Sequence, residues 1–230
     1  LRLLHRDYID CLLMHEPDRP GQYDWWTDID RAEGPVMEAP AELKAAGKIK
    51  WIGLGGTTTS HMAALIRTGK FDAVLTAFNY SVLFREACID LLPAAAKHNM
   101  GVIVGSPLHQ GAWTARHDAV LDQTPGPRWL SSTRREQMRA FYRFLDQVGI
   151  PLPELAMRFF ISNKQLATTL TGSRSVVEVE ANVAAVAKGP LPQDVLDRLD
   201  EIAAMMPYRP CEEPISLPLG RGWGGPGVAR

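Results

Sequence analysis

Apolar residues along this chain gather in short runs, separated by longer stretches with helical spacing. Five runs read as strands buried on both faces: "YIDCLLMH" (8–15), "KIKWIGLGG" (48–56), "FDAVLTAFNY" (71–80), "MGVIVGSPL" (100–108) and "QLATTLTG" (165–172). Helical spacing covers residues 35–50, 61–70, 85–99, 134–149, 153–163, 176–189 and 192–206. Pro40 weakens the first of these helices, and Gly47 with its flanking lysines closes it. Ser60 is placed to cap the second. Thr133 with Glu136, and Ser175 with Glu178, have the spacing of capping boxes.

Strands alternating with helices predict an α/β fold, with a parallel sheet covered by helices. In a closed barrel or an open doubly wound sheet, chemistry gathers at the carboxyl ends of the strands. Those ends read His15–Glu16, Gly55–Gly56–Thr57, Phe78–Asn79–Tyr80, Ser106–Pro107–Leu108 and Gly172–Ser173–Arg174. Polar residues and glycines collect at each one. In "DYIDCLLMHEPD" the apolar run meets solvent at His15, and Pro17 stops it.

Composition narrows the function classes. With 230 residues, 46% hydrophobic and 22% charged, the chain can bury a sizeable core as one domain. A net charge of -1 supplies no basic field for nucleic acid or an anionic membrane. No apolar run approaches the roughly 20 residues that span a bilayer. Cys11, Cys88 and Cys211 lie far apart, without metal-ligand spacing, and read as reduced thiols of a cytoplasmic protein. "LRLLHRD" lacks Met, signal peptide and cap, so the chain is expected to begin inside a longer protein.

Four stretches in order, "DYIDCLLMHEPD", "AELKAAGKIKWIGLGG", "VIVGSPLHQGAW" and "TLTGSRSVVEVEANV", resemble the aldo-keto reductases, and within them the bacterial aldose or galactose dehydrogenase-like branch. The resemblance covers residues 1–206, leaving 207–230 as an irregular Gly/Pro-rich tail. It implies a (β/α)8 TIM barrel of which the last five β/α units are present. It also implies NADPH-dependent, less often NADH-dependent, interconversion of a carbonyl and an alcohol. The substrate would be a small aldehyde, ketone or aldose. The oligomeric state is not implied.

The resemblance assigns roles residue by residue. His15 matches the histidine that orients the substrate carbonyl, whose oxygen must be polarised as it gains charge. The family's proton-donating tyrosine, with its lysine and aspartate, has no counterpart in these residues. Gly55 and Gly56 stand where the family carries Ser-Asn against the nicotinamide, with Thr57 beside them. Gly105 replaces a stacking tyrosine. Ser106, Leu108, Gln110 and Gly111 match the loop around the pyrophosphate. Gly172, Ser173 and Arg174 match the adenosine phosphate site, where a guanidinium and a helix start suit a 2′-phosphate. Glu178 stands where members often carry Arg or Gln, and Asn182 matches the residue that meets the adenine.

Tyr23, Trp25, Trp26 and Trp113 lie in loops that would wall a substrate pocket, or would simply anchor those loops by packing. Two rival readings are weaker. Glu16 in "HEPD" resembles a retaining glycosidase acid/base, but the partner carboxylate about 5 Å away that such chemistry needs has no candidate in "VIVGSPL". His15, Glu16 and Asp18 could begin a metal site, yet no second ligand cluster follows at another strand end. A nucleotide-binding module without catalysis is the alternative from a different class.

Overall fold

The computed structural model describes residues 1–19, 26–210 and 212–219. Five strands form one sheet in the order β1-β2-β3-β4-β5, where β1 is Ile9–His15, β2 Ile49–Gly56, β3 Ala73–Ala77, β4 Gly101–Gly105 and β5 Thr168–Leu170. Neighbours from β1 to β4 pair in parallel, with His15 opposite Gly55, Gly55 opposite Leu75 and Leu75 opposite Ile103. Ala167 N donates to Val102 O at 2.8 Å, extending the sheet beyond β4.

The chain divides into two compact units. The first holds Leu1–Asn79, Ala87–Gly105 and Gln165–Thr168; the second holds Tyr80–Glu86, Ser106–Lys164 and Thr169–Arg230. In the first, helices α1 (Pro35–Ala45), α2 (Thr59–Arg67) and α3 (Leu91–Lys97) accompany the strands. Alternation puts Met14, Leu54, Val74 and Val102 on one sheet face, and all four are buried. Leu13, Leu75 and Ile103 point to the other face and are only half-buried, while Trp51 there is 41% exposed. One face is thus a finished core, and the other is open.

The second unit holds α4 (Asp118–Leu121), α5 (Ser132–Val148), α6 (Leu152–Ile161), α7 (Val176–Ala187) and α8 (Gln193–Ala204). Helix α5 buries Gln137, Met138, Phe141, Phe144 and Leu145, an i, i+1, i+4, i+7, i+8 stripe that supplies its core face. It ends where Gly149 takes φ 66° and donates its N–H back to Leu145 O at 3.1 Å. Phe84, Trp113, Phe141 and Phe160 are among the largest fully buried side chains; the first three rings pack on one another, and Phe160 packs on Tyr80 and Phe159.

Several expected boundaries move for local reasons. The cap of α5 is Ser131, whose Oγ accepts from Arg134 N at 3.1 Å; Thr133 lies inside the helix, and Glu136 pairs with Arg143 at 3.0 Å. Helix α2 starts after Thr58 rather than at Ser60, because Asp18 from another segment takes the free N–H groups there. The helix expected over 85–99 is a single 3-10 turn, Glu86–Cys88, followed by Leu91–Lys97. The long polar loop after β4 contains the short α4, which carries no strong periodic signal. The box at Ser175 forms: its Oγ accepts from Glu178 N at 3.3 Å.

Candidate active site

The end of β1 and the β2–α2 turn are tied together by Asp18. This carboxylate is fully buried, and its Oδ2 accepts from Thr57 N at 2.9 Å and from Thr58 N at 2.6 Å. Two orphan N–H groups at the start of α2 are thereby satisfied by a negative charge placed where the helix dipole favours one. Asp18 O is also 2.9 Å from His61 Nδ1. The glycine in this turn is dictated by Asp18: a Cβ on Gly56 would lie 2.3 Å from the carboxylate. Asp18, weighed from the sequence only as a metal ligand, is therefore the residue that shapes this turn. Among the described residues no group of three metal-ligating side chains occurs.

Thr57 is fixed on every side. Beyond its N–H to Asp18, its carbonyl accepts from Asn79 Nδ2 at 2.9 Å and its hydroxyl from Arg19 Nη2 at 2.8 Å, leaving the hydroxyl proton to donate. Arg19 also pairs with Glu16 at 2.9 Å, so Glu16 is engaged as an ion-pair partner. A shallow cleft of about 210 Å³ brings together His15, Glu16, Gly55, Gly56 and Thr57. His15 is exposed at its rim. Gly55 is the roomier glycine, since a Cβ there would find its nearest neighbour at 3.6 Å. At Gly105 even a methyl would come within 3.3 Å of Leu75, so this position is fitted to its neighbours.

The second unit contains a larger cleft of about 550 Å³, a size suited to a cofactor. Two segments far apart in sequence wall it. The loop after β4 contributes Ser106, Leu108, Gln110 and Gly111, and the β5–α7 turn contributes Gly172, Arg174, Glu178 and Asn182. Ser173 stands just behind, with its Oγ accepting from Asn182 Nδ2 at 3.2 Å. Ser106, His109 and Gln110 all take positive φ, at 58°, 50° and 52°, a backbone that side-chain-bearing residues adopt only when their surroundings hold them there. Gly111 at φ 101° has no such restriction.

At the α7 end of this cleft the Arg174 side chain is 92% exposed. Glu178 reaches back past the cap, its Oε2 accepting from Arg174 N at 2.7 Å and its Oε1 lying 3.9 Å from the guanidinium. An extended cation, a helix start and peptide groups in an open turn are a fitting donor set for a phosphate-bearing ligand. Gly172 has nothing within 4 Å of where a Cβ would be, which leaves the backbone accessible at this turn.

The aromatic candidates fare differently. Trp113 is fully buried, packed at 5.6 Å from His109 and 6.2 Å from Phe141 between ring centroids, so it fills the core and lines neither of the two clefts described. Trp26 is half-buried and donates its Nε1 to Pro17 O at 2.7 Å, which anchors its loop. Tyr23 and Trp25 lie outside the described residues, as does Cys211.

The sequence model of the Aldo/keto reductase family matches residues 1–204. L-galactose dehydrogenase of Arabidopsis thaliana is 29% identical over 191 residues, covering 81% of this chain and 55% of the relative. The NADH-specific methylglyoxal reductase of Escherichia coli is 28% identical, covering 81% of this chain and 56% of that protein. This chain thus spans about half the length of these curated relatives. The apo structure of aldo-keto reductase AKR11C1 from Bacillus halodurans superposes with a TM-score of 0.68 at 25% identity, over 92% of this chain and 68% of the other. By the extent of the family match, the chain belongs to the aldo/keto reductase family.

Proposed function

We propose that this chain carries the dinucleotide-binding portion of a nicotinamide-dependent oxidoreductase that interconverts a small carbonyl compound, an aldehyde, ketone or aldose, with its alcohol. On this reading its five strands are the last five units of a (β/α)8 barrel. One observation carries the proposal. Eight residues assigned to a cofactor from two sequence segments, Ser106 to Gly111 and Gly172 to Asn182, line one cleft.

In this reading the Ser106–Gly111 backbone holds the pyrophosphate, and Arg174 takes the 2′-phosphate of NADP. Asn182, held by Ser173, meets the adenine. In the first unit, the resemblance gives Gly55, Gly56 and Thr57 to the nicotinamide and His15 to the substrate carbonyl. The cofactor supplies the hydride. Glu178 counts against NADP, because its carboxylate shares the guanidinium that a 2′-phosphate would use. The NADH-specific relative from Escherichia coli keeps NAD within range as cofactor.

Titration of NADPH and NADH by fluorescence, with wild type and Arg174→Ala, tests the reading. Wild type is expected to bind NADPH more tightly, and Arg174→Ala to lose roughly 1–3 kcal/mol of NADPH binding, the size of one charge-assisted contact. Equal affinities, or an unchanged preference in the variant, would overturn the NADP assignment. Binding of both cofactors without turnover of any simple aldehyde would favour the nucleotide-binding module instead.

A further inference from the structure

The segment after α8 lies beyond residue 204, where the family match ends, and nothing in its composition marks it as more than a tail. Its described residues form neither helix nor strand. Its far part is nevertheless buried: Leu217 is fully buried, and Glu213 and Leu219 are nearly so, although Tyr208 earlier in the segment is exposed. An irregular segment that buries a glutamate needs a strong partner, and it has one. Arg134 on α5, also fully buried, donates its Nε to Glu213 Oε2 at 2.9 Å, and its Nη1 hydrogen-bonds Gln137. Gln137 in turn donates its Nε2 to the carbonyls of Ile202 and Ala203 at the end of α8. Arg209 in the segment lies 3.5 Å from Glu86 and 3.9 Å from Glu213, and it ties the segment to itself by donating to Ile215 O at 2.9 Å.

These charges surround one ring. The guanidinium carbons of Arg134 and Arg209 lie 4.4 Å and 4.2 Å from the Phe84 ring centre. Phe84 is also stacked on His109, with centroids 4.7 Å apart and planes 11° from parallel. His109 is fully buried and sits, at positive φ, between Leu108 and Gln110, which line the larger cleft. A second, direct contact comes from the same segment: Ser216 Oγ donates to Gln110 Oε1 at 2.9 Å. The loop is thus backed by the stack of His109 on Phe84, whose ring Arg209 of the segment faces, and held by the hydrogen bond from Ser216.

We propose that residues 209–210 and 212–219 form a strap that sets the Ser106–Gly111 wall of the dinucleotide cleft, with Glu213 and Ser216 as its positioning residues. The inference rests on the dinucleotide reading of that cleft. It adds that cofactor affinity depends on residues outside the family's matched region, none of which touches the cofactor.

Glu213→Gln leaves Arg134 buried without its counter-charge and is expected to unfold much of this unit, so it cannot decide the question alone. Ser216→Ala removes the contact to Gln110 from a half-buried position and spares the buried pair. Two readouts on the full chain decide: NADPH affinity by fluorescence, and hydrogen exchange of the 106–111 amides without ligand. Ser216→Ala is expected to melt within about 2 °C of wild type, to exchange faster in 106–111, and to bind NADPH about threefold to tenfold more weakly. Unchanged exchange in 106–111 would overturn the strap. Faster exchange with unchanged NADPH affinity would overturn its positioning role. If wild type binds no dinucleotide, the reading of the cleft fails instead, and the exchange result still decides whether the segment holds the loop.

Discussion

Glu178 holds the backbone of Arg174 with one oxygen, at 2.7 Å, and faces that residue's guanidinium with the other, at 3.9 Å. The same carboxylate therefore builds the helix start and shares the cation that a 2′-phosphate would need. Glu178→Gln keeps an acceptor for Arg174 N and removes the charge. NADPH affinity is expected to rise by about 1 kcal/mol, roughly fivefold, the scale of an exposed charge interaction. NADH affinity should change little. Paired titrations check this, and an equal shift for both cofactors would show that Glu178 acts only as a cap.

Two adjacent glycines should behave oppositely. A Cβ at Gly56 meets the Asp18 carboxylate at 2.3 Å, whereas one at Gly55 meets nothing closer than 3.6 Å. Gly56→Ala is expected to cost about 1–3 kcal/mol, as overpacking does, because Asp18 would have to release Thr57 N and Thr58 N. Gly55→Ala should stay within about 0.5 kcal/mol. Denaturant melts of the two variants give the comparison. Equal stabilities would mean that Asp18 is not fixed in this turn.

His15 is exposed at the end of β1, and none of the hydrogen bonds described for the site involves its ring. His15→Ala should therefore leave the melting curve almost unchanged, within about 0.5 kcal/mol. In protein that turns over a carbonyl, the same variant should lower kcat more than it raises KM, since the lost contact strengthens as the oxygen gains charge. A large loss of stability with kcat retained would assign His15 to the fold alone.

Much of this was legible in the residues, and the exceptions share a cause. Met14, Leu54, Val74 and Val102 announce a buried sheet face by their spacing, and Ser175 with Glu178 announce a helix start, because both signals are local. Ser60 and Thr133 do not cap their helices because other groups do: Asp18, some 40 residues before Thr58, takes the N–H groups at the start of α2, and Ser131, two positions upstream of Thr133, caps α5. Trp113 reads as a pocket wall in a polar loop, yet a fully buried ring cluster absorbs it. The packing of Glu213 onto Arg134, across 79 residues, leaves no trace in the tail's composition.

Glu154 joins α6 to the end of α7. It accepts from Lys188 Nζ at 2.6 Å and from Arg158 Nη1 at 3.1 Å, and these two cations, Lys188 foremost, hold its carboxyl below the ordinary value of 4.5. A depressed acid binds its proton less readily folded than unfolded. Its contribution is present above about pH 4.5 and is lost as pH falls through the lower folded value. Melting temperature against pH should therefore fall off less steeply below pH 4.5 in Glu154→Gln than in wild type, from a lower plateau at neutral pH. Parallel curves would show that this pair adds nothing.

The central claim is that the loop after β4 and the turn before α7 grip one dinucleotide. Hydrogen exchange of the whole chain, with and without saturating NADPH, tests it most directly. The claim predicts slowed exchange in both 106–111 and 172–182, with the pattern lost from 172–182 when Arg174→Ala is titrated at the same concentration. Protection in only one of the two segments, or in neither while NADPH is bound, would contradict it.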